Sequence, residues 1–215
     1  MKVWYMIACV LSGYLVGGIN PAYIIGRLKG FDIRARGSGN AGASNAVIVM
    51  GKGVGVFSAV FDIAKAFLCV KIAEMVFPQW KLAKVLCGSA CILGHIFPPL
   101  MRFKGGKGLA CLGGVILALD WLMFAVLLAV ELIVVLVVDY ICVVPITASA
   151  AYPFIYLLRG GTVAGALVLG VVAVVIFAKH IENLHRIKEG KEAHFSFLWN
   201  RDAELARLQR KENED

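Results

Sequence analysis

Long apolar runs alternate with short polar loops along this chain of 215 residues. The apolar runs lie at about 3–27, 53–76, 81–101, 109–120, 121–140, 143–158 and 162–179. A helix that crosses about 30 Å of hydrocarbon needs roughly 20 residues, whereas the strand of a membrane β-barrel alternates apolar and polar residues. The pattern therefore predicts an all-α fold, a polytopic membrane helix bundle of about seven transmembrane helices, some of them short or broken.

Two stretches do not have the length or continuity of a simple membrane-spanning helix. Asp120 interrupts the apolar stretch 109–140, which is too long for one crossing, so we interpret that stretch as two helices. Pro145 and Pro153 punctuate the next span, which is also short. We expect a single membrane domain over residues 1–215, with residues 182–215 as a charged cytoplasmic tail that forms an amphipathic or solvated helix.

The composition supports a membrane protein. Hydrophobic residues make up 60% of the chain and charged residues 17%, and the mean hydropathy of +0.81 is too apolar for an ordinary soluble domain. The net charge of +8 does not indicate nucleic acid, because the basic residues are not interleaved with aromatic residues. The cysteines show no CxxC or Cys/His ligand spacing, so we predict small buried side chains and neither a disulfide nor a metal site: Cys9, Cys69, Cys87, Cys91, Cys111 and Cys142.

Two glycine-rich polar loops, at 37–45 and 104–108, interrupt the apolar chain. Glycine lets backbone N–H groups converge on an oxyanion, and lysines beside them add positive charge where a phosphate binds. The loops therefore predict a membrane protein that handles phosphorylated substrates. The candidate phosphate-binding residues within them are Gly39, Asn40, Gly42, Ser44, Asn45, Gly105, Gly106, Lys107 and Gly108.

A third polar segment lies at 179–192, where the last span leaves the membrane. On a helix, His180, Asn183 and either Arg186 or Lys179 fall near one face, because residues three apart are neighbours. Taken alone, this segment is typical of a juxtamembrane basic region in contact with lipid head groups. A shared membrane face with the glycine-rich loops favours instead a role in one common site.

The number of crossings decides which polar segments can meet. Seven crossings place both glycine-rich loops and the tail on one face, whereas six would put the tail opposite the loops. Basic residues are in excess at the loops, as in the cytoplasmic loops of membrane proteins, so we expect a cytoplasmic site and C-terminus and an external N-terminus. The residues compared are Arg27, Lys29, Arg34, Arg36, Lys52, Arg102, Lys104 and Lys107 against Lys2, Lys81, Lys84 and Arg159.

Short motifs in a fixed order carry a resemblance to a known family. They are Asp32-Ile33-Arg34, the loop at 37–45, Phe61-Asp62 with Lys65, Gly94-His95 with Pro98, the loop at 104–108, and His180, Asn183, Arg186 and Glu192. Over about residues 13–195, the chain resembles the acyl-phosphate-dependent glycerol-3-phosphate acyltransferases of bacterial phospholipid synthesis.

The resemblance implies a seven-helix enzyme of the bacterial inner membrane with its site facing the cytoplasm. Such an enzyme uses no cofactor and transfers a fatty acyl group from acyl phosphate to the 1-hydroxyl group of glycerol 3-phosphate. The products are lysophosphatidate and phosphate. The implied partners are the two substrates, membrane lipid and the soluble enzyme that makes acyl phosphate. By the same resemblance, the residues that matter for activity are Ser38, Lys104, His180, Asn183 and Glu192, with Arg186 in the substrate-binding set.

The chain departs from the family pattern at three places. Ile48 stands where the family carries an arginine that binds phosphate, and we expect Arg34 or Arg36, in the same loop, to supply that charge. Cys111 replaces a threonine after the second glycine-rich loop. Asn20-Pro21 stands where a proline followed by a bulky apolar residue is usual.

The chemistry of acyl transfer assigns roles to these residues. Departure of phosphate requires neutralisation of charge, which lysines and backbone donors provide. The attacking hydroxyl group needs a base, either His180 or a phosphate oxygen of the substrate. The carbonyl oxyanion needs donors, for which Ser38, Asn40 and loop amides are candidates. The chain contains no G-x-S-x-G motif and no aspartate five residues after any histidine, which favours direct transfer without an acyl-enzyme.

Several polar residues and glycines lie inside or beside the predicted spans. Asp62 and Lys65 are spaced to pair within the second span, either in support of the site or in contact with substrate, because an isolated charge at mid-bilayer is costly. We expect His95 to be a hydrogen-bonded structural histidine at a helix end. Gly13 and Gly17, like Gly161 and Gly165, have the spacing of close helix packing.

Two other function classes remain open at this point. One is a small transporter for an anionic metabolite, which predicts polar groups across the whole membrane thickness. The other is a catalytically altered relative, which binds phospholipid precursors without turnover.

Overall fold

The computed structural model describes residues 2–200 together with Glu204, Ala206 and Arg207. Over these residues the protein is all-helical and contains no strand. Its α-helices are α1 (Lys2–Gly17), α2 (Pro21–Leu28), α3 (Ala43–Met50), α4 (Lys52–Val76), α5 (Leu82–Ile96), α6 (Leu109–Leu119), α7 (Trp121–Val138), α8 (Val143–Leu158) and α9 (Val163–Lys188). Short 3₁₀ helices lie at Ile33–Ala35, Pro99–Met101 and Phe195–Leu198.

Every predicted span corresponds to helical structure, and the all-α membrane fold is confirmed. Among the described residues, four helical segments are long and apolar enough to cross a membrane: Lys52–Val76, Leu82–Met101, Trp121–Val138 and Val163–Lys188. The pair α1 and α2, bent by 40°, makes a fifth if it is counted as one span. α6 and α8 are shorter apolar helices. Of the predicted tail at 182–215, residues 182–188 continue α9, and most residues after 200 lie outside the described residues.

The first predicted span, at 3–27, is broken between α1 and α2. Pro21 has no N–H group, so it cannot donate to the carbonyl of Gly17 and a continuous helix is interrupted there. Asn20 then caps α2, because its side-chain oxygen accepts a hydrogen bond from the Tyr23 N–H at 2.9 Å.

The core of the bundle depends on close contact between α1 and α5. A Cβ atom added at Gly17 would lie 2.1 Å from the backbone oxygen of Cys91, and one added at Gly13 would lie 2.2 Å from that of Cys87. The predicted packing role of both glycines is therefore confirmed. Gly161, in the connection before α9, and Gly165 lie mainly against the Tyr156 side chain of α8.

The cysteines are small buried side chains, as predicted, and all except Cys142 lie in this core. All of them are free thiols. Those on α1, α4, α5 and α6 belong to one apolar cluster: Cys9, Cys69, Cys87, Cys91 and Cys111.

Replacement of Gly17 by alanine should destabilise the bundle, because the new methyl group meets backbone that cannot rotate away. Overpacking of this kind costs roughly 1–3 kcal/mol, which corresponds to a midpoint lowered by about 2–10 °C. Thermal unfolding of the purified protein in detergent measures the change. Gly170→Ala is the matched control, since no atom lies within 4 Å of a Cβ at that helical position. An unchanged midpoint for Gly17→Ala would contradict the packing argument.

Candidate active site

A cavity of about 230 Å³ lies where both glycine-rich loops, the last turns of α9 and the residues after α9 meet. Three segments that are far apart in the sequence contribute its polar lining. They are Ser38, Asn40, Gly42 and Ser44 from the first loop, Lys107 and Gly108 from the second, and His180, Asn183, Arg186 and Glu192 from the third segment. The structure therefore brings residues of all three polar segments to one cavity.

Asn45 holds the first loop in shape from behind. Its side-chain amide donates to the carbonyls of Ile33, Arg36 and Asn40 at 2.8–3.1 Å, and its oxygen accepts from the Ser38 N–H at 2.9 Å. Asn45 is buried and does not line the cavity. Asn45, a predicted phosphate-binding residue, therefore stabilises the loop through these hydrogen bonds.

Ser38 lies at the exposed tip of the first loop. Gly37 and Gly39 on either side of it have φ values of 58° and 73°, in the left-handed region that favours glycine. The N–H groups of Ser38 and Gly39 are already bonded within the loop. Among the predicted oxyanion donors, the Ser38 hydroxyl group and the Asn40 side chain therefore fit better than these two amides.

Arg34 ties the two loops together and does not line the cavity. Its guanidinium donates to Asp32 at 2.7 Å and to the carbonyls of Met101 and Lys104 at 2.7 and 3.1 Å. The hydrogen bonds from Arg34 hold the pKa of the Asp32 carboxyl below its usual value. Arg36 also lies outside the cavity lining, with its guanidinium 4.1 Å from the centre of the Phe31 ring.

The second loop packs tightly on the end of α5. The Gly105 and Gly106 N–H groups donate to the carbonyls of Ile96 and His95 at 3.0 and 3.1 Å. A Cβ atom at Gly106 would lie 2.1 Å from Nε2 of His95. These glycines therefore serve close packing, and neither of them lines the cavity.

The loop turns its two lysines in different directions. Lys104 is exposed and does not line the cavity, whereas Lys107 points into it. Lys107 Nζ donates a hydrogen bond to the side-chain oxygen of Asn183. The position of Lys107 makes it the lysine that can neutralise charge inside the cavity, and a catalytic role for Lys104 stays a prediction.

The amino termini of two helices border the cavity. Gly42 caps α3 and Gly108 caps α6, and neither position provides a side-chain cap. The N–H groups in the first turn of a helix have no acceptor within the helix, and the helix dipole adds partial positive charge there. Residues of both first turns line the cavity: Ala43, Ser44, Leu109 and Ala110. The cavity therefore combines two anion-binding helix ends.

The third segment forms a hydrogen-bonded network beside Lys107. Asn183 Nδ2 donates to Glu192 Oε1 at 2.5 Å, and Arg186 Nε donates to Glu192 Oε2 at 2.7 Å. Arg186 also pairs with Glu182 at 2.7 Å. The carboxylate of Glu192 thus orients both the amide and the guanidinium toward the cavity.

His180 is oriented to act as a base. Its Nδ1 lies 2.7 Å from the carbonyl of Ile176, which can only accept, so Nδ1 carries the proton in that bond. In the neutral ring Nε2 is then the nitrogen with the free lone pair.

Of the predicted residues, Gly39, Asn45, Arg34, Arg36, Lys104, Gly105 and Gly106 do not line the cavity. Ile48 does line it, and Lys107 and Arg186 line the same cavity. Sequence reasoning missed the contribution of the α7–α8 connection, which supplies Ile141 and Cys142, and of the first turn of α8, which supplies Pro145.

Asp62 and His95 also border the cavity, on the side of the bundle core. The predicted pairing of Asp62 with Lys65 is confirmed, with Asp62 Oδ1 2.6 Å from Lys65 Nζ. Asp62, His95 and Cys111 offer an oxygen, a nitrogen and a sulfur within 4.8 Å of one another, a set that could hold a metal ion. The Lys65 ammonium is already next to two of these ligands, 2.6 Å from Asp62 and 3.2 Å from His95 Nδ1.

The sequence profile described as Glycerol-3-phosphate acyltransferase matches residues 7–190. The chain belongs to the glycerol-3-phosphate acyltransferase family. The enzyme of this name from Thermotoga petrophila is 37% identical over 183 residues, which cover 85% of this chain and 92% of the relative. That of Symbiobacterium thermophilum is 32% identical over 187 residues, which cover 87% of this chain and 93% of the relative.

Two crystal structures of PlsY (YgiH), an integral membrane glycerol 3-phosphate acyltransferase, share the fold. The glycerol 3-phosphate form is 33% identical to this chain, with a TM-score of 0.83. The lysophosphatidic acid form is 32% identical, with a TM-score of 0.80. Each comparison covers 90% of this chain and 96% of the PlsY chain.

The pH dependence of substrate binding should report on Lys107 of this family member. Burial, followed by the positive charge of Arg186, holds the Lys107 pKa below its usual value of about 10.4. The ammonium is therefore lost at a lower pH than that of an exposed lysine. A charge-assisted hydrogen bond is worth about 1.5–3 kcal/mol, so we expect KM for glycerol 3-phosphate to rise with pH as the ammonium is lost, toward a limit of about 10- to 150-fold.

Steady-state kinetics between about pH 7 and pH 10 measure this rise, with enzyme-free blanks for loss of the acyl donor. Lys107→Arg keeps its charge over this range and should flatten the alkaline rise in KM, even if its different shape lowers activity throughout. Lys52→Arg, at an exposed position away from the cavity, should retain the wild-type profile. The same alkaline rise in Lys107→Arg would show that another group is responsible.

Proposed function

We propose that this protein transfers a fatty acyl group from acyl phosphate to the 1-hydroxyl group of glycerol 3-phosphate, and so makes lysophosphatidate and phosphate. The observation that carries the proposal is the single cavity into which all three polar segments point, in a chain of this family. The PlsY structures that it resembles are described as the glycerol 3-phosphate and lysophosphatidic acid forms, which are acceptor and product of this reaction.

The cavity suits two phosphate groups. Lys107 and Arg186 provide cationic hydrogen-bond donors, and the amino termini of α3 and α6 add backbone N–H groups. We propose that one set holds the phosphate of the acceptor and the other the phosphate that leaves. On this view Lys107 and Arg186 supply the positive charge that Ile48 does not, because Arg34 and Arg36 contact other groups outside the cavity.

The transfer itself needs a base and an oxyanion site. His180 Nε2, or a phosphate oxygen of the substrate, accepts the proton of the attacking hydroxyl group as the new ester bond forms. Ser38 and Asn40 donate to the carbonyl oxygen as its charge develops, a role whose loss typically costs about 10²- to 10³-fold in rate. The bond between the carbonyl carbon and phosphate oxygen then breaks, and phosphate leaves without a covalent enzyme intermediate.

An assay with purified protein tests this reaction. We expect phosphate release from palmitoyl phosphate to depend on glycerol 3-phosphate, with formation of an equal amount of lysophosphatidate measured by mass spectrometry. His180→Ala should reduce the rate by at least about 10²-fold, as expected on loss of a general base.

Transfer from palmitoyl-coenzyme A but not from palmitoyl phosphate would overturn the assignment of the donor. Binding of glycerol 3-phosphate without turnover of either donor would instead identify a catalytically altered relative.

We further propose that the chain crosses the bacterial inner membrane seven times, with the cavity facing the cytoplasm. α7 connects the two ends of the bundle. At its start Asp120 accepts from Arg159, which follows α8, at 2.8 Å, and just after its end Asp139 accepts from Ser196 at 2.8 and 3.0 Å. The short helices α6 and α8 therefore also run between opposite ends, which supports seven passages. The excess of basic residues at the loops supports the cytoplasmic side, where a soluble enzyme supplies acyl phosphate.

Cysteine labelling of intact cells tests this topology. Ala35→Cys and Trp199→Cys, on the cavity side, should react with a membrane-impermeant maleimide only after permeabilisation. Lys81→Cys, at the opposite end, should react without it. All three positions are exposed, and the native cysteines are buried, so background labelling should be low. Reaction of Ala35→Cys and Trp199→Cys from opposite sides would exclude a common site.

A further inference from the structure

The break in the first span leaves two backbone carbonyls without a helical partner. Gly17 would be paired with the N–H group of residue 21, but that residue is Pro21. Ile19 would be paired with the N–H group of Tyr23, which is bonded to the Asn20 side chain. Carbonyls at membrane depth need a donor from within the protein.

Lys65 of α4 supplies both hydrogen bonds. Its Nζ donates to the Gly17 oxygen at 2.9 Å and to the Ile19 oxygen at 2.6 Å. Asp62 balances the charge at 2.6 Å, and His95 Nδ1 lies 3.3 Å from the same carboxylate oxygen. All three side chains are at least 95% buried. We call Lys65, Asp62 and His95 the Lys65 cluster.

The Lys65 cluster is connected to both glycine-rich loops. On one side, Asn20, within the break that Lys65 stabilises, donates to the Ala41 oxygen at 2.8 Å, directly before the N-cap of α3. On the other side, the His95 carbonyl accepts from the Gly106 N–H at 3.1 Å, and the His95 ring is in contact with Gly106. The Lys65 cluster is therefore linked, through Asn20 and His95, to the loops that lead into α3 and α6. The amino termini of these two helices border the cavity.

We infer that Lys65 and Asp62 are positioning residues for acyl transfer: they set the distance between the amino termini of α3 and α6. The inference rests on the proposed function for its kinetic part. Two phosphate sites can bring donor and acceptor into reacting distance only if their separation is correct, and a misplacement of about 1 Å can cost about 10²-fold in rate.

The test compares Lys65→Met and the double variant Lys65→Met/Asp62→Asn with the full-length wild type. The double variant removes both charges, so it avoids the unpaired buried carboxylate that can prevent folding of the single variant. Lys71→Met is the matched control, because Lys71 pairs with Glu74 on the same helix with the same spacing, but at a half-exposed position.

We expect the double variant to lose at least about tenfold in kcat/KM, with a raised KM for glycerol 3-phosphate. Hydrogen–deuterium exchange should increase at residues 17–20, 37–45 and 104–110, while exchange at the opposite end, at 77–81 and 159–162, should stay as in the wild type. Lys71→Met should change neither measurement.

Two results would overturn the inference. One is a double variant with wild-type kinetics and wild-type exchange in both loops. The other is a loss of activity with unchanged exchange in the loops, which would assign Lys65 and Asp62 to direct contact with substrate. If the wild type itself made no lysophosphatidate, the proposed function would fail, but the exchange measurements would still decide whether the cluster holds the loops.

Discussion

A backbone carbonyl inside a membrane needs a hydrogen-bond donor from the protein, and this constraint organises the site. Pro21 breaks the first span and removes the donor for Gly17, while Asn20 takes the donor for Ile19. Lys65 reaches across from α4 to bond both oxygens. The ammonium that satisfies the backbone also carries the charge that Asp62 balances, so the break is compatible with a tightly packed bundle.

The proposed phosphate sites show how a helical membrane protein can recognise anions with few charged residues. Glycine at the N-caps of α3 and α6 leaves the first-turn N–H groups open, since glycine has no side chain with which to cap them. Lys107 and Arg186 then add two cationic donors, and Glu192 holds Arg186 and Asn183 in place. Because these N–H groups belong to the helix backbone, the helices set their positions before a substrate arrives, as preorganised electrostatic stabilisation requires.

The glycines of the second loop serve two different structural roles. A phosphate-binding loop and a loop in close contact with a helix end both require small residues, and sequence alone does not separate the two. In the structure Gly105 and Gly106 bond and pack against the end of α5, whereas Gly108, with φ of 92°, opens α6 toward the cavity. Likewise Asn45 has a side chain that could bind a ligand, but its amide donates hydrogen bonds to backbone carbonyls that hold the first loop.

The sequence by itself determined the helical membrane fold, because runs of about 20 apolar residues have few other solutions. It also determined the three polar segments and the glycine positions where helices touch, since charge and small size at fixed spacing are local properties. Only the tertiary structure decided that Lys107 rather than Lys104 lines the cavity, and that Arg34 joins the two loops. Those outcomes depend on the turn of the second loop at Arg102 and Phe103 and on the packing of this loop against His95. The packing joins residues that are separated in the sequence, so no local pattern predicts it.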